Sequence, residues 1–167
     1  MKLKTVQIAI LVAVASTLFS VEAVIQSPFP WIRLGLANIM TLLALKWWGM
    51  REAFAILLMR VFLGCFLTGK FLHPVFVLSL TGGIVSTLAM GVVIIHGKQV
   101  FSLIGISLIG SLFKNLTQIF VAYIIYVRHI YIFTLLPLFL LSSLITGIII
   151  GFLTHLIHDK MRPYMFA

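Results

Sequence analysis

Acidic residues are scarce in this sequence, which has 3 Asp and Glu among 167 residues against 12 Lys and Arg. It contains no D-D-x-x-D motif, in which paired carboxylates bind magnesium ions that in turn bind a diphosphate. It also lacks a recognisable Ser-His-Asp constellation for nucleophilic catalysis. We therefore expect a protein that is not an enzyme.

Cysteine is almost absent as well. The single Cys65 lies inside an apolar run, so an internal disulfide cannot form and redox chemistry is not expected. The stretch GCFLTGKF at 64–71 nearly matches the phosphate-loop pattern G-x-x-x-x-G-K-[ST]. Its last position is Phe71, which cannot bind magnesium, and the pattern around it predicts no preceding strand. We therefore exclude nucleotide hydrolysis by this chain.

Metal ligands are represented by one small group near the C-terminus. His155, His158 and Asp159 lie at helical spacing, a pattern that can bind a metal. The end of a cytoplasmic interfacial helix explains them more simply, because histidine and lysine favour helix C-termini. We predict neither a metal nor a cofactor.

Apolar residues dominate what is present: 62% of the chain is hydrophobic and 9% is charged. A water-soluble domain of this size could not bury so much apolar surface. A transmembrane helix takes about 20 residues, so six spans use about 120 and leave only short loops. We therefore predict an all-α, polytopic membrane protein with a single domain over residues 1–167. The six predicted transmembrane helices lie at about 5–25, 34–48, 52–69, 75–96, 101–127 and 131–157.

Basic residues are scattered, which argues against nucleic acid as a partner, but they divide unequally between the two sides of this topology. With the N-terminus in the cytoplasm, seven cations lie inside and three outside, so we expect both termini on the cytoplasmic side of the cell membrane. The N-terminal segment resembles a signal peptide, but its length and Glu22 at the −2 position favour a retained first span. The inside group is Lys2, Lys4, Lys46, Arg51, Lys98, Lys160 and Arg162, and the outside group is Arg33, Lys70 and Arg128.

A lysine in the middle of the fifth predicted span is the most informative polar residue. At mid-membrane a lysine costs roughly 2.5–3.5 kcal/mol on insertion scales, so Lys114 should face a polar cavity or a partner. It could bind an anionic ligand, pair with Glu22, or extend to an interface. Its spacing to three other polar residues places all four on one helix face. These are Ser107, Ser111 and Gln118, with Asn115 beside the stripe.

A second cation lies near the middle of the third predicted span. Arg60 has Gly64 one turn later, which would leave space beside it. The guanidinium suits a carboxylate or a phosphate, but it could equally lock the bundle through a salt bridge or backbone carbonyls. Only Glu22 among the three acids lies near the membrane, so Arg60 and Lys114 cannot both find an acidic partner in this chain. This imbalance favours an anionic ligand.

The stretch PFPWIRLGLAN at 28–38 separates the first two apolar segments. Pro28 and Pro30 restrict the backbone and remove hydrogen-bond donors, which makes a stiff corner. We predict that residues 26–33, with Arg33 among them, close over a pocket as a lid, and that Asn38 forms part of the pocket wall. A tight turn with interfacial anchors explains the prolines but leaves an asparagine inside the span unexplained.

Small residues at four-residue spacing occur on the first and last predicted spans. Ala9 and Ala13 form an A-x-x-x-A pair, and Ser16 and Ser20 continue close to the same face. Gly147 and Gly151 form a G-x-x-x-G pair. Such pairs let helix backbones approach closely, either within the bundle or against a partner. On the fourth span, Ser79, Gly83 and Ser86 could likewise pack or line a pocket.

The stretches IRLGLANIMTLLAL and MREAFAILLMRVFLGCFLTG resemble the Gx transporters, a membrane family also called heptaprenyl diphosphate synthase component I. That family is similar to the substrate-binding S components of energy-coupling-factor (ECF) transporters. The resemblance implies a six-helix S-component-like bundle with cytoplasmic termini and a lid after helix 1. It further implies that the A-x-x-x-A motif, here Ala9 and Ala13, docks on a membrane scaffold subunit. Two cytoplasmic ATPases then drive the component to topple and release its substrate.

We therefore predict an S component that takes up a small anionic nutrient or a cofactor or isoprenoid precursor. The alternative is a membrane accessory subunit, without catalytic activity, of a prenyl-diphosphate synthase or redox-cofactor assembly. S components share a fold but differ in their ligand contacts, so the site residues come from the helical pattern and not from the resemblance. They are Arg33, Asn38, Arg60, Lys114 and Gln118.

Overall fold

The structure is a computed structural model that describes residues 2–24, 35–71, 73–97 and 101–165. All regular structure in these residues is helical. The predicted lid, including Arg33, lies outside the described residues. The helices are α1 (Lys2–Val24), α2 (Asn38–Trp47), α3 (Met50–Leu67), α4 (Pro74–His96), α5 (Leu103–Ala122) and α6 (Leu136–Met165). A π-helix, Tyr123–Val127, and a 3₁₀ helix, Ile130–Leu135, join α5 to α6.

Each of the six predicted segments overlaps one of the α-helices, but the predicted number of spans is supported only in part. By length and composition, four helical stretches of the described chain could cross a membrane: Lys4–Glu22, Pro74–His96, Leu103–Val127 and Ile130–Met161. The third helix, α3, has 18 residues and a length of about 27 Å, but it carries three charged side chains. The chain is therefore an all-helical, multi-pass membrane protein with at most four clearly apolar spans in its described part.

The second helix, α2, differs most from the prediction. It has 10 residues and is about 15 Å long, too short to cross a bilayer. Every residue from Asn38 to Leu45 is buried, and α2 contacts α1, α3, α4 and α6. Gly49, with φ of 98°, provides the tight turn from α2 into α3. This helix is therefore a central element of the bundle, and its first turn lies inside the protein.

Small residues bring α5 and α6 into close contact. A Cβ added to Gly147 would lie 2.8 Å from the Cα of Leu108, and one added to Gly151 would lie 2.5 Å from the Cα of Ile104. Backbone atoms cannot move aside as a flexible side chain can, so only glycine fits these positions. The G-x-x-x-G pair therefore packs within the bundle, which confirms the packing interpretation for the last span.

The fourth helix is tightly packed between α3 and α5. A Cβ on Gly83 would lie 2.6 Å from Cδ1 of Leu57 in α3. A Cβ on Gly82 would lie 3.3 Å from Cγ of Lys114 and 3.1 Å from Cγ of Gln118 in α5. The stem of Lys114 therefore runs along the surface of α4, which directs its ammonium group into the bundle.

Ala9 and Ala13 lie on an exposed face of α1, together with the apolar side chains of Val6 and Ile10. The sequence predicts that Ser16 continues this face, but Ser16 is buried. The small residues of α1 therefore share one helix face, but the neighbours of that face change along the helix. Only its N-terminal part, around Ala9 and Ala13, is exposed.

Candidate ligand-binding site

One cavity gathers polar side chains from every helix between α1 and α5. Its volume is about 20 Å³, enough for about one water molecule. Phe19 and Val61 contribute apolar walls, and Gly35 and Ala37 border it from the turn before α2. The polar lining is Glu22, Asn38, Arg60, Ser79 and Lys114. Three of the five predicted binding residues, Asn38, Arg60 and Lys114, therefore lie together.

Arg60 and Asn38 contact each other directly. The Arg60 Nη2 donates a hydrogen bond to Oδ1 of Asn38, and each residue is 4% exposed. An amide oxygen satisfies the donor but does not neutralise the positive charge of the guanidinium. This contact explains the asparagine in an otherwise apolar helix: it orients a buried arginine at the edge of the cavity.

The ammonium group of Lys114 lies against the turn that precedes α2. A Cβ added to Gly35 would be 2.6 Å from Nζ of Lys114 and 3.8 Å from Nδ2 of Asn38. Gly35 has φ of 73°, a left-handed conformation that side-chain-bearing residues rarely adopt. Glycine is thus needed here for two reasons, the shape of the turn and the close approach of the lysine.

Glu22 connects the end of α1 to the start of α2. Its Oε1 accepts a hydrogen bond from the backbone N–H of Leu36, and its side chain lines the same cavity as Lys114. The described lining therefore contains two cationic side chains and one carboxylate. Of the three interpretations of Lys114 that the sequence left open, a ligand contact and a pair with Glu22 are both compatible with this placement.

Gly64 does not have the role that the sequence suggested. It was expected to leave space beside Arg60, but a Cβ at Gly64 would overlap the ring of Phe19, which fills that space. The same ring lines the cavity. Gly64 therefore lets α1 pack closely on α3, and the cavity next to Arg60 is closed on this side by an aromatic wall.

The polar stripe on α5 is divided between different neighbours. Ser111 Oγ donates to the carbonyl of Ser143 at 2.7 Å, and Asn115 Nδ2 donates to the carbonyl of Phe139 at 3.0 Å. These two residues hold α6 against α5. Gln118 Nε2 lies 3.5 Å from the carbonyl of Leu78. It borders a separate apolar cavity of about 10 Å³ and does not line the one at Lys114.

The predicted grouping of Gln118 with Lys114 in one pocket is therefore not reproduced, because one helical turn carries Gln118 past the cavity. The sequence also missed Phe19 and Gly35 as lining residues, since neither bears a charge or a polar group. Ser79 was considered for packing or lining, and it lines the cavity. These positions can be identified only from contacts between segments that are distant in sequence.

The C-terminal histidines contact an acid and an aromatic ring. His158 lies 3.2 Å and His155 3.6 Å from the carboxylate of Asp159, and the ring of His158 stacks on Trp47 of α2. Within the described ranges, no cluster of three His, Cys, Asp or Glu side chains could hold a metal. The stacking joins the end of α6 to the end of α2.

The long apolar helices around a polar cavity define an all-helical, multi-pass membrane protein. Within that class, the family model described as heptaprenyl diphosphate synthase component I matches residues 11–157. The chain belongs to this family, as the motifs in its sequence predicted. No curated protein and no solved structure matches the chain.

Proposed function

We propose that this protein is the substrate-binding component of a membrane transporter, similar to the S components of ECF transporters, and that it binds a small anion. The observation that carries the proposal is the convergence of Arg60, Lys114 and Asn38 on one cavity. Two cations from different helices inside an apolar bundle are expensive to maintain. Binding of an anion offers a reason for that expense.

The chemistry of the lining suits a carboxylate, sulfonate or phosphoryl group. Arg60 presents a fork of N–H donors, Lys114 supplies a compact charge, and Ser79 adds a hydroxyl group. The described cavity is small, so a ligand larger than a water molecule would need its walls to move apart. The ligand would enter from the side on which α1 ends and α2 begins.

Transport also requires energy, which this chain would obtain from others. We propose that the exposed face of α1 around Ala9 and Ala13 docks on a scaffold subunit that carries two ATPases. Its small, apolar surface would allow a partner helix to approach closely. Replacing both alanines with leucine should abolish co-purification with that scaffold while leaving anion binding unchanged.

A binding assay on the purified protein in detergent tests the site. We expect Lys114→Ala to weaken binding of the cognate anion at least about ten-fold, because a charge that faces the ligand is lost. Lys46→Ala, at the exposed end of α2, is the matched control and should bind as the wild type does. Equal binding by the wild type and Lys114→Ala for every anion tried would refute the assignment.

A second function is favoured by the name of the family, which refers to a prenyl-diphosphate synthase. In that case the protein would be a membrane accessory subunit, without catalytic activity, that recruits a soluble synthase. Affinity purification from native membranes separates the two. Recovery of transporter ATPases supports transport, and recovery of a prenyl synthase without them supports the accessory role.

A further inference from the structure

The carboxylate of Glu22 occupies an unusual place for an acid, the wall of a cavity that we propose to bind anions. It is held there by the backbone N–H of Leu36, which lies next to the glycine that the Lys114 ammonium approaches. Glu22 and Lys114 therefore lie against neighbouring residues, Leu36 and Gly35, of the turn before α2. A carboxylate at the start of a helix is stabilised by the helix dipole as well.

The described lining of the cavity carries a net positive charge. Arg60 and Lys114 contribute two positive charges and Glu22 one negative charge, which leaves a net charge of +1. A ligand with one negative charge brings the lining and ligand together to zero. A ligand with two negative charges brings the total to −1. This excess charge would lie among partly buried groups, where charge interactions are stronger than in water.

We infer that Glu22 is a built-in counter-ion that restricts the cavity to ligands whose bound group carries a single negative charge, such as a monocarboxylate or a sulfonate. This inference rests on the proposed function and specifies its substrate class. Glu22 would reject doubly charged groups by repulsion, while Arg60 and Lys114 attract anions of either kind.

A structural role alone predicts something different. As an acceptor for Leu36, Glu22 needs an oxygen but no charge, and the amide of glutamine supplies one. Glu22→Gln therefore keeps the link between α1 and α2 while raising the net charge of the lining to +2. A change in the preference between singly and doubly charged anions reports the charge of Glu22 and not its hydrogen bond.

The experiment measures the affinity of the purified, full-length protein for methanesulfonate and sulfate by titration calorimetry at constant ionic strength. These anions are similar in size and shape, and they carry one and two charges. The control is Glu52→Gln, because Glu52 pairs with Lys4 at the opposite end of α1, about 27 Å from Glu22 along the helix.

We expect the wild type to prefer methanesulfonate, and Glu22→Gln to shift the ratio of affinities towards sulfate by about ten-fold or more. Glu52→Gln should keep the wild-type ratio. A wild type that prefers sulfate, or an unchanged ratio in Glu22→Gln, overturns the inference while anion binding itself stands. A wild type that binds neither anion overturns the proposed function as well. The wild-type measurement decides the matter even if Glu22→Gln fails to fold.

Discussion

Two polar regions lie within the apolar bundle, and they differ in what their polar groups contact. Along the α5–α6 contact, Ser111 and Asn115 donate to backbone carbonyls of the neighbouring helix. At the cavity, Arg60 and Lys114 bring charge to a small open volume among five elements. Both regions include residues from one stretch of α5, so neighbouring positions on a single helix serve different purposes.

This difference shows how a polar residue within a membrane helix should be interpreted. A hydroxyl or amide can be satisfied by one carbonyl and then adds little beyond packing, about 0.6–2 kcal/mol per interhelical hydrogen bond. A charged side chain needs more than one carbonyl or a counter-charge, so its surroundings include space and other polar groups. The α5–α6 contact should therefore govern stability, and the cavity should govern binding.

The largest effect on stability is expected at the α5–α6 contact, where Gly151 meets the backbone of α5. Gly151→Ala places a methyl group 2.5 Å from Cα of Ile104, so the helices must separate, at about 2–3 kcal/mol. At Gly105 the nearest atom lies 3.6 Å away, so Gly105→Ala should be neutral or slightly stabilising. Denaturant unfolding in detergent measures both. Equal stability of the two variants would show that α5 and α6 are less tightly packed.

The two buried asparagines provide a direct test of the comparison. Asn115→Ala removes hydrogen bonds to Phe139 and Ser142 and should reduce stability by about 1–2 kcal/mol, with anion affinity within two-fold of the wild type. Asn38→Ala removes the Oδ1 acceptor of Arg60 Nη2 and should weaken anion binding about ten-fold. Unfolding and calorimetry are measured on the same preparations. The division fails if Asn115→Ala weakens binding as much as Asn38→Ala does.

Substitution of Gly35 should have a moderate effect on both stability and anion affinity. Gly35→Ala forces a side-chain-bearing residue into φ of 73°, which costs about 1–2 kcal/mol, and its methyl group displaces the Lys114 ammonium. We expect anion affinity to fall about five- to ten-fold. The matched control is Gly69→Ala, which has φ of 66° but meets nothing within 4 Å, so it should reduce stability without reducing affinity. If Gly35→Ala and Gly69→Ala lose affinity equally, backbone strain and not the contact with Lys114 causes the loss.

Most of the helical organisation could be predicted from hydrophobicity, because each apolar run overlaps one α-helix. The burial of α2 could not be predicted, since its apolar residues would face lipid or protein equally well. Its 10-residue length follows from the turns at Gly35 and Gly49, which take residues from the predicted 34–48 segment. The sequence pattern shows where apolar residues lie but not which neighbours cover them.

The cavity could be predicted in part for a similar reason. Arg60 and Lys114 are charges that an apolar span must accommodate, so the sequence alone identifies them. Ser111 and Gln118 lie on the same helix face as Lys114, but that face contacts α4 and α6 at different heights. Helical phase gives the direction of a side chain, and the contacts between helices decide what it meets.

Gln118 lies one helical turn beyond Lys114 and borders neither region directly, so its substitution should have the smallest effect. Its amide donates weakly to Leu78 at 3.5 Å, and its Oε1 has no hydrogen-bond partner among the described residues. Replacing a poorly satisfied buried amide with an apolar group of similar size is nearly neutral, so Gln118→Leu should change stability by less than about 0.5 kcal/mol. Anion affinity should stay within two-fold, because Gln118 borders the apolar cavity at Leu78 and not the charged one. A ten-fold loss of affinity with unchanged stability would instead extend the binding site one helical turn along α5, as the sequence alone predicted.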